Sequence, residues 1–234
     1  VALLLAWRRG WTPTARPQWV LGAAVLAAAV SLRYLAELSA ELFTLRLSML
    51  AAAAGLVLTH RGVPQLRHWI VPGCLLALAV PIPDVLLNAI ALPLQLNASR
   101  WGADLLAWRR VPVVLTGNVL HLPGQTLFVT EACSGLRSLT ALVALGILVA
   151  HIHLRSVWGG ILLVASAVPV ALAVNALRVF LTGFLGYHVE PAVARGFMHY
   201  TQGWVLFVVA FALLAALAAA VGAVERRSGG RREG

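Results

Sequence analysis

The sequence predicts an all-α polytopic membrane protein: a bundle of six to eight transmembrane helices, with a small extramembrane β-hairpin and one re-entrant or interfacial helical segment. Three observations carry this. The 234 residues are 61% hydrophobic and 11% charged, whereas a soluble domain is about half apolar and about a quarter charged. Mean hydropathy is +0.88, and several runs approach the roughly 20 apolar residues that cross a bilayer. The net charge of +10 comes entirely from arginine, placed in short clusters between the apolar runs. That spacing marks cytoplasmic boundaries under the positive-inside rule and argues against a nucleic-acid partner.

Residues 1–17 carry Arg8, Arg9 and Arg16 with two prolines and read as a basic cytoplasmic lead-in. The first residue is valine, so the chain is either a fragment or a translated non-ATG start. Residues 18–224 read as a single transmembrane helical domain. Trp19 to Leu35 is its first crossing, and Glu37 and Glu41 fall in an outer turn. Leu42 to Leu58 returns to a basic segment with His60, Arg61 and Arg67, while Arg46 snorkels to the outer headgroups. Leu66 to Val80 goes out again and stops at Pro81-Ile82-Pro83, which disfavours continued helix.

Residues 84–110 contain Asn88, Pro93, Arg100 and Asp104 among apolar residues. They read as a re-entrant or interfacial helical hairpin on the outer face, with a full crossing as the alternative. Val111 to Val129 mixes β-branched residues with two turn signals, Gly117-Asn118 and Pro123-Gly124. This predicts a β-hairpin outside the lipid, because open strands are not tolerated against hydrocarbon.

Thr130 suits an N-cap, and Glu131 in the following turn complements the helix dipole. The helix they open runs to Ala150 and ends at the basic boundary His151, His153 and Arg155. Val157 to Phe184 goes out, Tyr187 to Tyr200 is a loop, and Thr201 to Val224 comes back in. Residues 225–234 form a basic cytoplasmic tail. The layout gives six crossings with both ends inside.

This topology brings three residues distant in sequence to the outer leaflet or its surface. Cys133 lies in the first turn of a helix, where unpaired N–H groups and the dipole favour a thiolate; the ordinary alternative is a small packing residue. Cys74, in an apolar run beside Gly73 and Leu75, lacks that setting and reads as packing. Two cysteines make no disulfide framework. Arg178 lies within a membrane helix, where a charge is costly unless it faces water or a partner; snorkelling is the alternative. Asn175, three residues earlier, shares its helical face and can brace it. His199, in the loop leading to the last helix, titrates near neutrality by default; His188 and His121 compete for its role. Arg137 lies one turn after Cys133 and reads as a salt-bridge partner of Glu131. A cysteine, a histidine and an arginine at one depth suit acyl transfer, with thiolate attack, proton management and oxyanion stabilisation divided among them. No metal-ligand spacing, phosphate loop or nucleophile elbow is present, so neither metal nor cofactor is expected.

Three motifs then resemble one family. They are Glu131-Ala132-Cys133-Ser134-Gly135-Leu136-Arg137-Ser138-Leu139, Asn175-Ala176-Leu177-Arg178-Val179, and His199 followed by Gly203-Trp204. Pro81-Ile82-Pro83, Pro93-Leu94-Gln95 and Leu122-Pro123-Gly124 add to the match, which covers roughly residues 60–210. In order and spacing they resemble the exosortase/archaeosortase family of multipass membrane transpeptidases. The resemblance implies Cys133 as nucleophile and Arg178 and His199 as the other catalytic positions, with Glu131, Ser134, Gly135, Arg137 and Asn175 in support. A histidine at the third position is similar to the bacterial exosortases.

The substrates so implied are exported proteins with a C-terminal sorting signal: a Pro-Glu-Pro-type motif, a membrane helix and a basic tail. Membrane lipid surrounds the reaction, and cleavage falls on the outer face of the inner membrane. The acceptor of the acyl group, whether water or a glycan or lipid amine, stays open. The competing class is a non-enzymatic multipass component of polysaccharide export or transport, in which Arg178 lines a pathway and Cys133 is packing. A different intramembrane hydrolase would need a serine dyad or a carboxylate pair, which eight scattered acidic residues do not supply.

Overall fold

The computed structural model describes the chain except Ile82 and residues 130–135, 190–196 and 231–234. For helical residues 84–87, 136–137, 197–202 and 228–230, and for residue 3, it describes only the backbone. Among the described residues there are eight helices and one small antiparallel sheet. Among the described residues, four helices are long and apolar enough to cross a membrane: Trp19–Leu38, Leu42–His68, Val157–His188 and Gly203–Arg227. Large apolar side chains stand exposed along them, Val20 at 86% and Trp158 at 80%, as befits surfaces solvated by lipid. The protein is an all-α polytopic membrane protein. It divides into two compact units, Val1–Asp84 and Val85–Gly234.

The first unit is built on an antiparallel pair, α2 (Trp19–Leu38) and α3 (Leu42–His68). Glycines let their backbones approach. A Cβ on Gly22 would meet the Thr59 hydroxyl and backbone, and one on Gly55 would lie 2.9 Å from Leu26 Cγ. Small residues at the contact are the usual route to helix pairing without a hydrophobic driving force. The turn between them ends at Glu41, whose carboxylate caps α3 by accepting from Phe43 N at 3.0 Å and Thr44 N at 2.6 Å. The Thr44 hydroxyl and N–H, with Phe43 N–H, hold that carboxyl below the usual range.

Helix α3 runs ten residues past the expected stop at Leu58, through Pro64, and kinks at Gly62 (φ 74°). A Cβ at Gly62 would collide with the carbonyl oxygen of Arg16, because the chain entering α2 crosses there: Arg16 N donates to Arg61 O, and Gln18 N to Leu58 O, each at 3.1 Å. The expected crossing Leu66 to Val80 is instead divided at Trp69. It becomes the end of α3 plus α4 (Ile70–Leu78), and nine residues reach only about 13 Å at 1.5 Å each. Cys74 on α4 is exposed rather than packed, as outward positions of an apolar helix are.

The basic lead-in is also folded. After α1 (Ala2–Arg9), residues 9–12 close on fully buried Gln65. Its Oε1 accepts from Thr12 N at 2.8 Å and Thr12 Oγ1 at 3.2 Å, and its Nε2 donates to Gly10 O at 3.2 Å. Gly10 O also accepts from the Trp69 indole, and the Arg9 guanidinium donates to His68 O.

The second unit begins with α5 (Asp84–Trp108), one helix that carries Pro93 inside it. The helical hairpin expected over 84–110 therefore does not form. At 25 residues this helix is about 37 Å long. Three strands follow: β1 (Val114–Thr116), β2 (Val119–Leu122) and β3 (Gln125–Phe128), paired in order and antiparallel. Two turn signals thus make a meander rather than a single hairpin, with Gly117 and Gly124 at positive φ in the turns. Leu120 and Leu122 on β2 pack with Ala103 and Leu106 of α5. The same cluster includes Val179, on a later helix.

Three further helices complete the unit: α6 (Leu136–His153), α7 (Val157–His188) and α8 (Phe197–Gly230). Leu142, Leu163, Ala171, Leu206 and Leu214 form their shared core. Gly146 lies over Val164 and Gly160 over Ala150, an antiparallel α6–α7 register; Gly159 lies against Val221, and Gly146 also against Leu214. Ser156 caps α7, accepting from Trp158 N at 3.2 Å. The expected tail from residue 225 continues α8, and Glu225 accepts from Arg155 N at 2.9 Å.

Candidate active site

Arg178 occupies the second half of α7, four residues beyond Val174 in the three-helix core. Its side chain is half-buried, and Nε is buried without a hydrogen-bond partner among the described residues. A guanidinium N–H withheld from water and left unbonded costs about 1–3 kcal/mol or more, so the position is set up to receive an acceptor. Asn175 is 4% exposed, one turn earlier on α7; the bracing expected of it does not reach Nε.

The neighbour across the helix interface is Gly203 on α8. A Cβ there would lie 3.7 Å from Arg178 Nη2 and 4.0 Å from Cζ. The guanidinium therefore lies over an α8 position that has no side chain to cover it. His199 is four residues before Gly203 in the same helix, about 6 Å nearer its start; its side chain lies outside the described residues. Trp204, next to Gly203, is 73% exposed, as expected of an interfacial anchor.

The competing histidines are located. His188 stacks on Phe184 at 4.4 Å between ring centroids and stands ten residues beyond Arg178, about 15 Å along α7. His121 is exposed on β2.

Cys133 lies outside the described residues, as do Glu131, Ser134 and Gly135; the Arg137 side chain does too. Both flanks are fixed. On one side Val129, 3% exposed, is gripped by Asn118: Val129 N donates to Asn118 O at 3.0 Å, and Asn118 Nδ2 donates to Val129 O at 3.1 Å. On the other, α6 begins at Leu136, which the α6–α7 register sets level with Val174. Arg178 is one turn further along α7, on the side from which the chain enters α6.

Two positions that shape the candidate site escaped the sequence reading. Gly203 contributes by lacking a side chain, which no residue-type argument detects; its only signal was membership of a motif. Asn118 was read as a turn residue, and its grip on Val129 depends on the register of the third strand.

Comparison with known proteins identifies the family. The family model for the transmembrane exosortase matches residues 1–216, a span that includes the first unit as well as the motifs of the second. No curated protein and no solved structure matches the chain. With more than nine-tenths of its length within that match and a polytopic helical architecture, the chain belongs to the transmembrane exosortase family.

Proposed function

We propose that the protein is a cysteine transpeptidase that removes the C-terminal sorting signal of exported proteins at the outer face of the inner membrane. Cys133 attacks the scissile carbonyl as a thiolate, and the negative charge that develops on the carbonyl oxygen is met by the Arg178 guanidinium. The C–N bond breaks, and the amine leaves with a proton supplied by His199. The acyl group, held as a thioester, is then released to an acceptor nucleophile, either water or a glycan or lipid amine.

The observation that carries this reading is the environment of Arg178. Its Nε is buried and has no hydrogen-bond partner among the described residues, and the Nη2 end of the guanidinium adjoins Gly203, one helical turn from His199, at the end of the three-helix unit where the chain enters α6. The arginine clusters support the orientation: Arg155, Arg226 and Arg227 gather at the opposite ends of these helices, where the positive-inside rule expects cytoplasm. Reaction within a site screened from bulk water strengthens the arginine's effect on the oxyanion.

The test is co-expression with a substrate that ends in a Pro-Glu-Pro-type motif, a membrane helix and an arginine tail. The protein should shorten that substrate and carry it as a thioester cleaved by hydroxylamine. Cys133→Ala should insert normally, form no adduct and leave the substrate intact. Shortening by Cys133→Ala at the wild-type rate refutes the assignment.

A further inference from the structure

We infer that the arginine-rich end of the first unit is a binding site for anionic phospholipid headgroups. Helix α1, the strap over residues 10–18 and the kinked end of α3 bring Arg8, Arg9, Arg16, Arg61 and Arg67 to one end of the α2–α3 pair. No acidic residue occurs in residues 1–36 or 42–83. The unit's glutamates, Glu37 and Glu41, lie at the turn between α2 and α3, about 30 Å away along a 20-residue helix. Neither glutamate is therefore within reach of the cluster.

The presentation is rigid. Gln65 is fully buried and holds Gly10 and Thr12, while Trp69 adds a bond to Gly10 O. Arg61 stacks over the Trp11 ring at 4.6 Å from its centroid. Arg8, Arg16 and Arg67 are exposed, so three guanidinium groups project from backbone that is already ordered.

Depth selects the ligand. Trp7, Trp11 and Trp19 are 78%, 61% and 74% exposed around the same end, and exposed indoles at the end of an apolar span mark the headgroup level. Phosphodiesters lie at that level, and guanidinium groups bind them through paired N–H donors. A soluble polyanion would need the patch to stand clear of the membrane, whereas here it is continuous with the first turns of α2 and the last of α3.

The test uses the whole protein in neutral detergent, titrated with phosphatidylglycerol or phosphatidylcholine and read by native mass spectrometry. Phosphatidylglycerol should be retained in preference, and added salt should weaken it. Each exposed arginine replaced by glutamine (Arg8→Gln, Arg16→Gln, Arg67→Gln) should weaken retention about fivefold. The pair Arg109→Gln and Arg110→Gln in the second unit should leave it unchanged. Equal retention of the two lipids, insensitivity to salt, or an unaltered triple variant overturns the proposal. Displacement of phosphatidylglycerol by millimolar inorganic phosphate also overturns it, since the site would then be one for the free anion.

Discussion

Substitution at Gly203 tests whether Arg178 works through the space beside it. A methyl group at this position would sit 3.7 Å from Arg178 Nη2 and 4.0 Å from Cζ, ordinary van der Waals separations. Alanine also removes the conformational cost of glycine in a helix, worth about 0.5–1 kcal/mol. Gly203→Ala should therefore melt at or above the wild-type temperature and process substrate within about threefold of wild type, a barrier change under ~0.7 kcal/mol. Valine adds two γ carbons, each about 1.5 Å beyond Cβ, and one pointing along the direct line would come to ~2.2 Å from Nη2. Overpacking of this kind costs about 1–3 kcal/mol. The guanidinium is the movable partner, and a displacement of about 1 Å at a reacting centre costs roughly 100-fold in rate. Gly203→Val should thus insert and remain folded but process a tagged substrate about 100-fold more slowly. The assay is an immunoblot time course in membranes, with melting in detergent alongside. Wild-type processing by Gly203→Val refutes the role given to the gap. Equal losses in the alanine and valine variants would instead show that backbone freedom at residue 203 is what matters.

Three further outcomes are expected. Gly102→Ala places a methyl 2.6 Å from Val179 Cγ1 and 2.8 Å from its Cβ, so it should lower stability by about 1–3 kcal/mol; Gly73→Ala, with nothing within 4 Å of its new methyl, should not, and melting of the two in one detergent decides. Asn118→Ala removes the bond from Nδ2 to Val129 O but leaves the backbone pair; it should cost about 0.5–1.5 kcal/mol and lower kcat for processing, with KM little changed. The Glu41 carboxyl is pulled below its ordinary 4.5, first by the Thr44 hydroxyl and then by backbone N–H groups. Because the folded value is the lower one, its contribution is complete above about pH 4.5 and fades as pH falls through the folded value. Wild type should therefore out-melt Glu41→Gln near neutrality, with the gap closing in acid.

What the sequence disclosed followed from the kind of signal each residue carries. Helices α2, α7 and α8 were legible because long apolar runs ended at arginines or charged turns. Arg178 was legible for the converse reason, as a charge where hydrocarbon should be. The junction of α3 and α4 was misread because a basic cluster containing Gly62 and Pro64 looks like a loop. In the fold the strap from Arg16 to Gln18 supplies donors to the Arg61 and Leu58 carbonyls, and helix resumes beyond the kink. Helix α5 runs through Pro93, which local rules score as a break. Strand number was undercounted although both turns were seen, since each signal adds a strand only when the next stretch pairs. The environment of Arg178 was hidden because it depends on an absent side chain on another helix. Cys133 was singled out by its position after a strand-like run, and its neighbours Val129 and Leu136 are the described anchors on either side.

Helix α7 belongs to two cores at once. Leu163, Ala167, Ala171 and Val174 pack with α6 and α8, whereas Val179 joins the cluster of α5 and the sheet, against which Phe180 and Phe184 also pack. Asn175 and Arg178 fall at the changeover between them. The guanidinium is thus surveyed from two independent sets of contacts, much as a point on a map is fixed by two bearings. Drift in either packing shifts the same charge, so substitutions well away from Arg178, on α5 or on β2, should register as changes in rate before they register as loss of fold.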